Sequence, residues 1–171
     1  MDIHSHFSML ARYNLWATRR LLLEHVVELS DADYRRDCGL FFKSVHGTLN
    51  HLLVTEQLLW LRRFAEGVSP KLALNAEIEV DRLRLSERLL EGAARWEPLI
   101  AEWPAARFDA RLEYVATSGH ERSIPFVAAL THVFNHGTHH RGQITAGLTS
   151  MGHRCPELDL PWMPVSPRDS T

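Results

Sequence analysis

His132, His136, His139 and His140 stand within nine residues of one another, inside a stretch from Pro125 to Gly152 whose other residues recur at helical spacing. An α-helix advances about 100° and 1.5 Å per residue, so His136 and His140 lie about 40° apart on one face and about 6 Å apart along the axis. Side chains at that spacing are neighbours able to share one ion. His132 sits one turn earlier on the same face, and His139 falls about 100° from His140, toward the edge of the stripe. Ala129, Val133, Ile144 and Met151 continue the stripe, so the imidazoles are expected to point at the core. Thr131, Thr138, Arg141 and Thr145 take the opposite side and are expected to face water. Pro125 suits a first helical turn, and Gly152 suits the stop.

Composition does not explain the cluster. With 11 His in 171 residues, nine positions should hold about 0.6 of them, and a lone pair at i, i+4 is expected by chance about 0.7 times over the whole chain. Core-facing imidazoles are costly unless their nitrogens are satisfied, and a divalent cation satisfies several at once. The plainer alternative is a set of hydrogen-bonded or surface histidines.

The chain is long enough, at 171 residues and 45% hydrophobic content, for one ordinary domain with its own core, spanning 1–171. A formal charge of -2 with no basic run argues against a nucleic-acid partner. No apolar run reaches the length of a membrane span, and the N-terminus lacks the apolar segment of a secretion signal. Cys38 and Cys155 form neither a redox motif nor a zinc ribbon, and two lone thiols suit a reducing cytoplasm.

Three further helices precede the histidine-rich one. The first runs from about Ile3 to Leu29, with Phe7, Leu10, Ala11, Leu15, Leu21, Leu22, Val26 and Leu29 at helical spacing; its His4 and His6 read as solvated side chains near a terminus. The second runs from Phe42 to about Glu66, with Ser44 as cap and Gly67 as stop. It is apolar nearly all round, so it is either central or covered by a second subunit. Its His51 shares a face with Ser44, Gly47, Thr48 and Thr55, whose small side chains leave room beside the ring. His46, about 140° away, is excluded from the same site. The third runs from about Ile78 to Glu102, with Leu83, Leu85, Leu89 and Leu90 among its buried candidates and Pro98 placed to kink it. Residues Phe108 to Ile124 change to a hairpin pattern with its turn at Gly119 and an exposed His120. The proline-rich tail from about 153 should lie extended over the body. The expected fold is all-α: an up-down four-helix bundle with a short β-hairpin excursion before the last helix and an extended C-terminal tail.

Bundles build metal sites from side chains on facing helices. His51 from the second helix can therefore meet His136 and His140 from the fourth, giving three neutral nitrogens and a vacant corner. That is the catalytic rather than the structural zinc pattern.

The motifs Tyr13-Asn14-Leu15-Trp16-Ala17, Leu49-Asn50-His51-Leu52-Leu53 with Trp60, and above all His132-Val133-Phe134-Asn135-His136 running into His139-His140-Arg141-Gly142-Gln143, resemble those of the DinB/YfiT-like group of metalloenzymes. The group belongs to a wider superfamily that includes thiol-dependent isomerases and S-transferases. The resemblance implies the same bundle, metal ligands at His51, His136 and His140, and dimers packed through helices. The family name derives from a DNA-damage-inducible gene and implies no DNA chemistry.

The leading expectation is a divalent-metal enzyme, zinc first and nickel second, whose open position binds and deprotonates a low-molecular-weight thiol such as bacillithiol, mycothiol or glutathione and presents it to an electrophile. Gln143, about 20° from His136, is placed to support a ligand imidazole. Arg141 is expected on the outer face, as a surface or interface group. The rival enzyme reading is metal-assisted hydrolysis, weakened because Gly137 stands where the zincin string H-E-x-x-H puts its base. The non-enzyme reading is a stress-response module stapled by an ion, with His132 or His139 closing the tetrahedron.

Overall fold

The computed structural model describes residues 2–164, and it is a four-helix bundle with a two-stranded hairpin. Its first rod is α1 (Ile3–Glu24), whose N-terminal amides are capped by the Asp2 carboxylate accepting from the Ser5 N–H at 2.8 Å. A single turn at Val26–Glu28 and the short helix α2 (Asp31–Arg35), capped by Ser30, make the connection. The second rod is continuous but changes character: α3 (Val45–Leu52), π-helical turns over Leu53–Leu61, then α4 (Arg62–Glu66). Ser44 caps it, accepting from the Gly47 N–H at 3.0 Å, and Gly67 ends it at φ 69°, both as the sequence suggests. Nothing in the apolar periodicity signalled the π turns, which are usually found near functional sites.

The third rod starts later than expected, at Arg82 behind an Asp81 cap, and is broken in two: α5 (Arg82–Ala94) and α6 (Trp96–Glu102). Pro98 has no N–H to give the carbonyl four residues back, and the helix breaks there. Leu83, expected in the core, is exposed, whereas Trp96 is wholly buried. The hairpin pairs β1 (Arg111–Val115) with β2 (Glu121–Pro125) around Gly119 at φ 83°. Strand β2 leads straight into α7 (Phe126–Ser150), which stops where Gly152 turns left-handed and the His153 N–H reaches back to the Leu148 carbonyl at 2.9 Å. The described part of the tail lies along α1, with the Leu158 carbonyl accepting from the Tyr13 hydroxyl at 2.6 Å.

The rods are not neighbours in chain order. Helix α1 packs on α5, α6 and α7, and the second rod packs on α5 and α7, so the first and second rods face each other across a diagonal, as do the third and fourth. The apolar interior is split into two clusters. One gathers Phe7, Trp60, Phe64, Trp96, Phe126 and Phe134; the other gathers Leu21, Tyr34, Leu49, Leu53, Leu85, Ile144 and Leu148. Asn14, Glu56 and Arg141 sit between them in sequence on their respective rods. Every residue of α3 is buried within this one chain, so its apolar circumference needs no second subunit to cover it. Among the described residues no helix is long and apolar enough to cross a membrane.

Candidate metal centre

The last turn of α3 and the middle of α7 bring three imidazoles together across the second and fourth rods. The Nε2 of His136 lies 3.2 Å from that of His51 and 3.1 Å from that of His140, and the ligand atoms of the three all lie within 4.8 Å of one another. Hydrogen bonding does not account for both short contacts. The Nδ1 of His51 is 2.7 Å from the Leu74 carbonyl, which only accepts, so that nitrogen carries the proton and Nε2 is a bare lone pair. The Nδ1 of His140 is 2.7 Å from Gln143 Oε1, which fixes the same tautomer there. A neutral His136 has a single Nε2 proton to offer these two lone pairs, so one contact can be a well-directed hydrogen bond and the other then sets a lone pair against a nitrogen already spent as donor. A cation removes the conflict. Tetrahedral zinc with Zn–N of about 2.0–2.1 Å requires ligand nitrogens about 3.3 Å apart, close to the spacing seen. The Nδ1 of His136 is buried with no partner among the described residues, the one ring without a fixed tautomer.

The electrostatics agree. Burial, and then the neighbouring His140 and His51, push His136 down to about 3; burial, offset in part by the Gln143 hydrogen bond, pushes His140 down to about 4. His51 is held below its ordinary value by burial, against the opposing Leu74 carbonyl. All three are neutral at physiological pH, the form that binds a metal. The Phe42 ring stacks on His51 at 3.8 Å between centroids with an 18° interplanar angle, and lies 5.7 Å from His140. Phe42 thus covers one face of His51.

The DinB family model matches residues 3–169. This chain belongs to the DinB family. Among curated relatives it is similar to Protein DinB of Bacillus subtilis (strain 168), 28% identical with 88% of each chain covered. Among solved structures it resembles YfiT from Bacillus subtilis, described as a probable metal-dependent hydrolase with an unusual four-helix bundle topology, at a TM-score of 0.63 with 90% of this chain and 91% of that chain covered. At 16% identity that likeness speaks for the fold.

In this DinB-family protein the other residues singled out by spacing stand around the trio. Gln143 supports His140 as expected, and its amide nitrogen lies 3.2 Å from the Nε2 of the exposed His139. His132 is also exposed, its ring 5.3 Å from that of His136 and 5.1 Å from that of Trp60, and burial together with the Arg63 charge lowers its pKa. Neither His132 nor His139 joins the group that could share an ion. The α-carbon of Gly47 abuts the Phe42 carbonyl so closely that a Cβ there would collide with it, and Thr55 turns its hydroxyl back to the His51 carbonyl at 2.8 Å.

Arg141 corrects the helical projection outright. It is 2% exposed, and its guanidinium donates to Asn14 Oδ1, to Thr18 Oγ1 at 3.4 Å and to Thr138 Oγ1 at 3.2 Å. Asn14 in turn donates to the Glu56 carboxylate at 3.2 Å. Burial raises the Glu56 pKa and the Arg141 charge opposes it. Glu56 was not anticipated at all. In the fold Gly137 makes room for it: a Cβ there would strike the Glu56 carboxylate and press on Asn14 and Arg141.

Proposed function

We propose that this chain is a divalent-metal enzyme in which His51, His136 and His140 hold the ion, and a low-molecular-weight thiol takes the fourth position before transfer to an electrophile. The observation that carries it is the triangle of Nε2 atoms, two of them deprotonated by the hydrogen bonds of their own rings, with no fourth His, Cys, Asp or Glu grouped with them among the described residues. When bound, the ion lowers the pKa of the thiol or water it holds. The chain's own residues supply the rest. Leu74 and Gln143 fix two tautomers, Phe42 excludes water from one side of His51, and burial keeps the rings unprotonated. Zinc is the first choice and nickel the second, because imidazole donors suit both and nickel loads easily. A homodimer and a cytoplasmic setting complete the reading, the first from the resemblance and the second from the two free thiols.

Hydrolysis is the second reading, favoured by the description of YfiT. It lacks a carboxylate grouped with the three histidines among the described residues, so an imidazole would have to act as base. A closed structural ion is disfavoured because His132 and His139 stand outside the group.

The deciding experiment offers zinc-loaded protein bacillithiol, mycothiol and glutathione with monochlorobimane. Conjugation should be accelerated by one of the thiols, and abolished by chelation and by His136→Ala. Turnover of ester or amide substrates without any thiol would instead favour hydrolysis, and a thermal shift by the cofactor thiol would confirm its binding separately.

A further inference from the structure

Arg63 is a buried cation without an acidic partner. It is 9% exposed, and its guanidinium carbon lies 4.5 Å from the centroid of Trp60 on one ring and 4.5 Å from that of Tyr114 on another. Its Nε donates to Ser69 Oγ at 2.8 Å. Among the described residues no carboxylate lies within ion-pair distance of it, and neither terminal nitrogen has an acceptor. Those nitrogens are not sealed in the interior either, since they are absent from the buried unpartnered atoms. Two aromatic faces hold the guanidinium plane and one hydroxyl fixes its rotation, but none of them supplies acceptors for the terminal N–H groups. Buried charges are ordinarily paired. Its terminal N–H groups are open to a partner that the described residues do not supply.

The position of Arg63 says what. The Trp60 ring that carries it also touches His132 at 5.1 Å, and His132 touches His136 at 5.3 Å. Ring contacts therefore connect the three-histidine cluster to the guanidinium through His132 and Trp60, in steps of 5.3, 5.1 and 4.5 Å. We propose that Arg63 reads a carboxylate on the substrate or thiol whose reacting atom sits at the three histidines. This rests on the metal-site reading above. One planar fork with a single charge matches one carboxylate in geometry and charge. The aromatic surfaces of Trp60 and His132 then accommodate the apolar stretch between the two ends.

The probes are straight-chain mercaptocarboxylic acids of increasing length, each compared with its carboxamide, titrated into cobalt(II)-loaded protein. The thiolate-to-cobalt absorption band reports anchoring at the histidines without any turnover. For at least one chain length the acid should bind about tenfold more tightly than its amide, the size expected of a charge-assisted pair. Arg63→Gln should erase that preference while leaving cobalt content and amide affinity within about twofold. Should Arg63→Gln fail to fold, Arg63→Lys decides, because losing the fork must reduce the preference. A preference that survives Arg63→Gln, is undiminished in Arg63→Lys, or is missing at every length in the unaltered protein overturns the assignment. An amide series that gives no cobalt band overturns the metal reading instead, and the assignment with it.

Discussion

The two sides of α7 bury polar groups in opposite ways. Toward the second rod, His136 and His140 meet His51 with their ligand nitrogens within 4.8 Å of one another, and no fourth such residue joins them among the described residues. Toward α1, Arg141 is surrounded by Asn14, Thr18 and Thr138, with Glu56 supplying the compensating charge through Asn14. His140 is 6% exposed and Arg141 2%, whereas His136 is half-buried. In charge the second set is self-sufficient, although Glu56 Oε1 and Arg141 Nε are buried without a hydrogen-bond partner among the described residues, whereas the three histidines are grouped so that they could share an ion. Buried polar groups that a fold leaves without a protein partner are where it serves something else.

Breaking the self-sufficient side should cost the most. Arg141→Met strands a buried carboxylate and should reduce unfolding stability by about 3–5 kcal/mol in chemical denaturation, with much of the loss recovered in the double variant Arg141→Met, Glu56→Gln. A loss below about 1 kcal/mol would mean that the two charges do not compensate each other. Gly137→Ala forces a methyl group against Glu56 and Asn14 and should cost about 1–3 kcal/mol as overpacking. On the open side, Gln143→Ala should leave stability almost unchanged while weakening metal affinity about 10- to 100-fold. Titration calorimetry would show it, and unaltered affinity would separate Gln143 from the site.

The two sides also pull in opposite directions with pH. The histidines have folded pKa values below the ordinary 6.5, about 3 for His136 and about 4 for His140. The unfolded chain therefore binds more protons in that window, so the stability they contribute is complete above 6.5 and is lost as pH falls toward those values. Glu56 is raised above 4.5, so its contribution is complete below 4.5 and is lost as pH rises through its folded value. Without metal, stability should increase from pH 4 to 6.5, and Glu56→Gln should steepen that increase. A flat profile in both proteins would contradict the assignments.

The legible parts of this molecule were those that depend on one helix at a time. Ser44, Gly67, Gly119 and Gly152 cap, stop or turn the chain where their chemistry suggests, and the spacing of His136 and His140 follows from a regular α7. The resemblance and the facing-helix logic brought His51 to the same point. What failed needed knowledge of neighbouring rods. Arg141 projects away from the histidine stripe, but α1 covers that face, so away from the stripe is not toward water. Leu83 looked like core because apolar spacing does not say where a rod begins to be covered. Glu56 and Arg63 were invisible because the π turns displace the regular α projection, and because a charged residue in a helix reads as solvated until its surroundings are known.

X-ray absorption on the zinc-loaded protein tests the central claim most directly. Three imidazole nitrogens at about 2.0–2.1 Å are expected, with one exchangeable oxygen ligand that is replaced by sulfur when a thiol is added. Zinc content should also collapse in His51→Ala. A shell of four protein ligands that ignores added thiol, or zinc retained undiminished by His51→Ala, would contradict the claim.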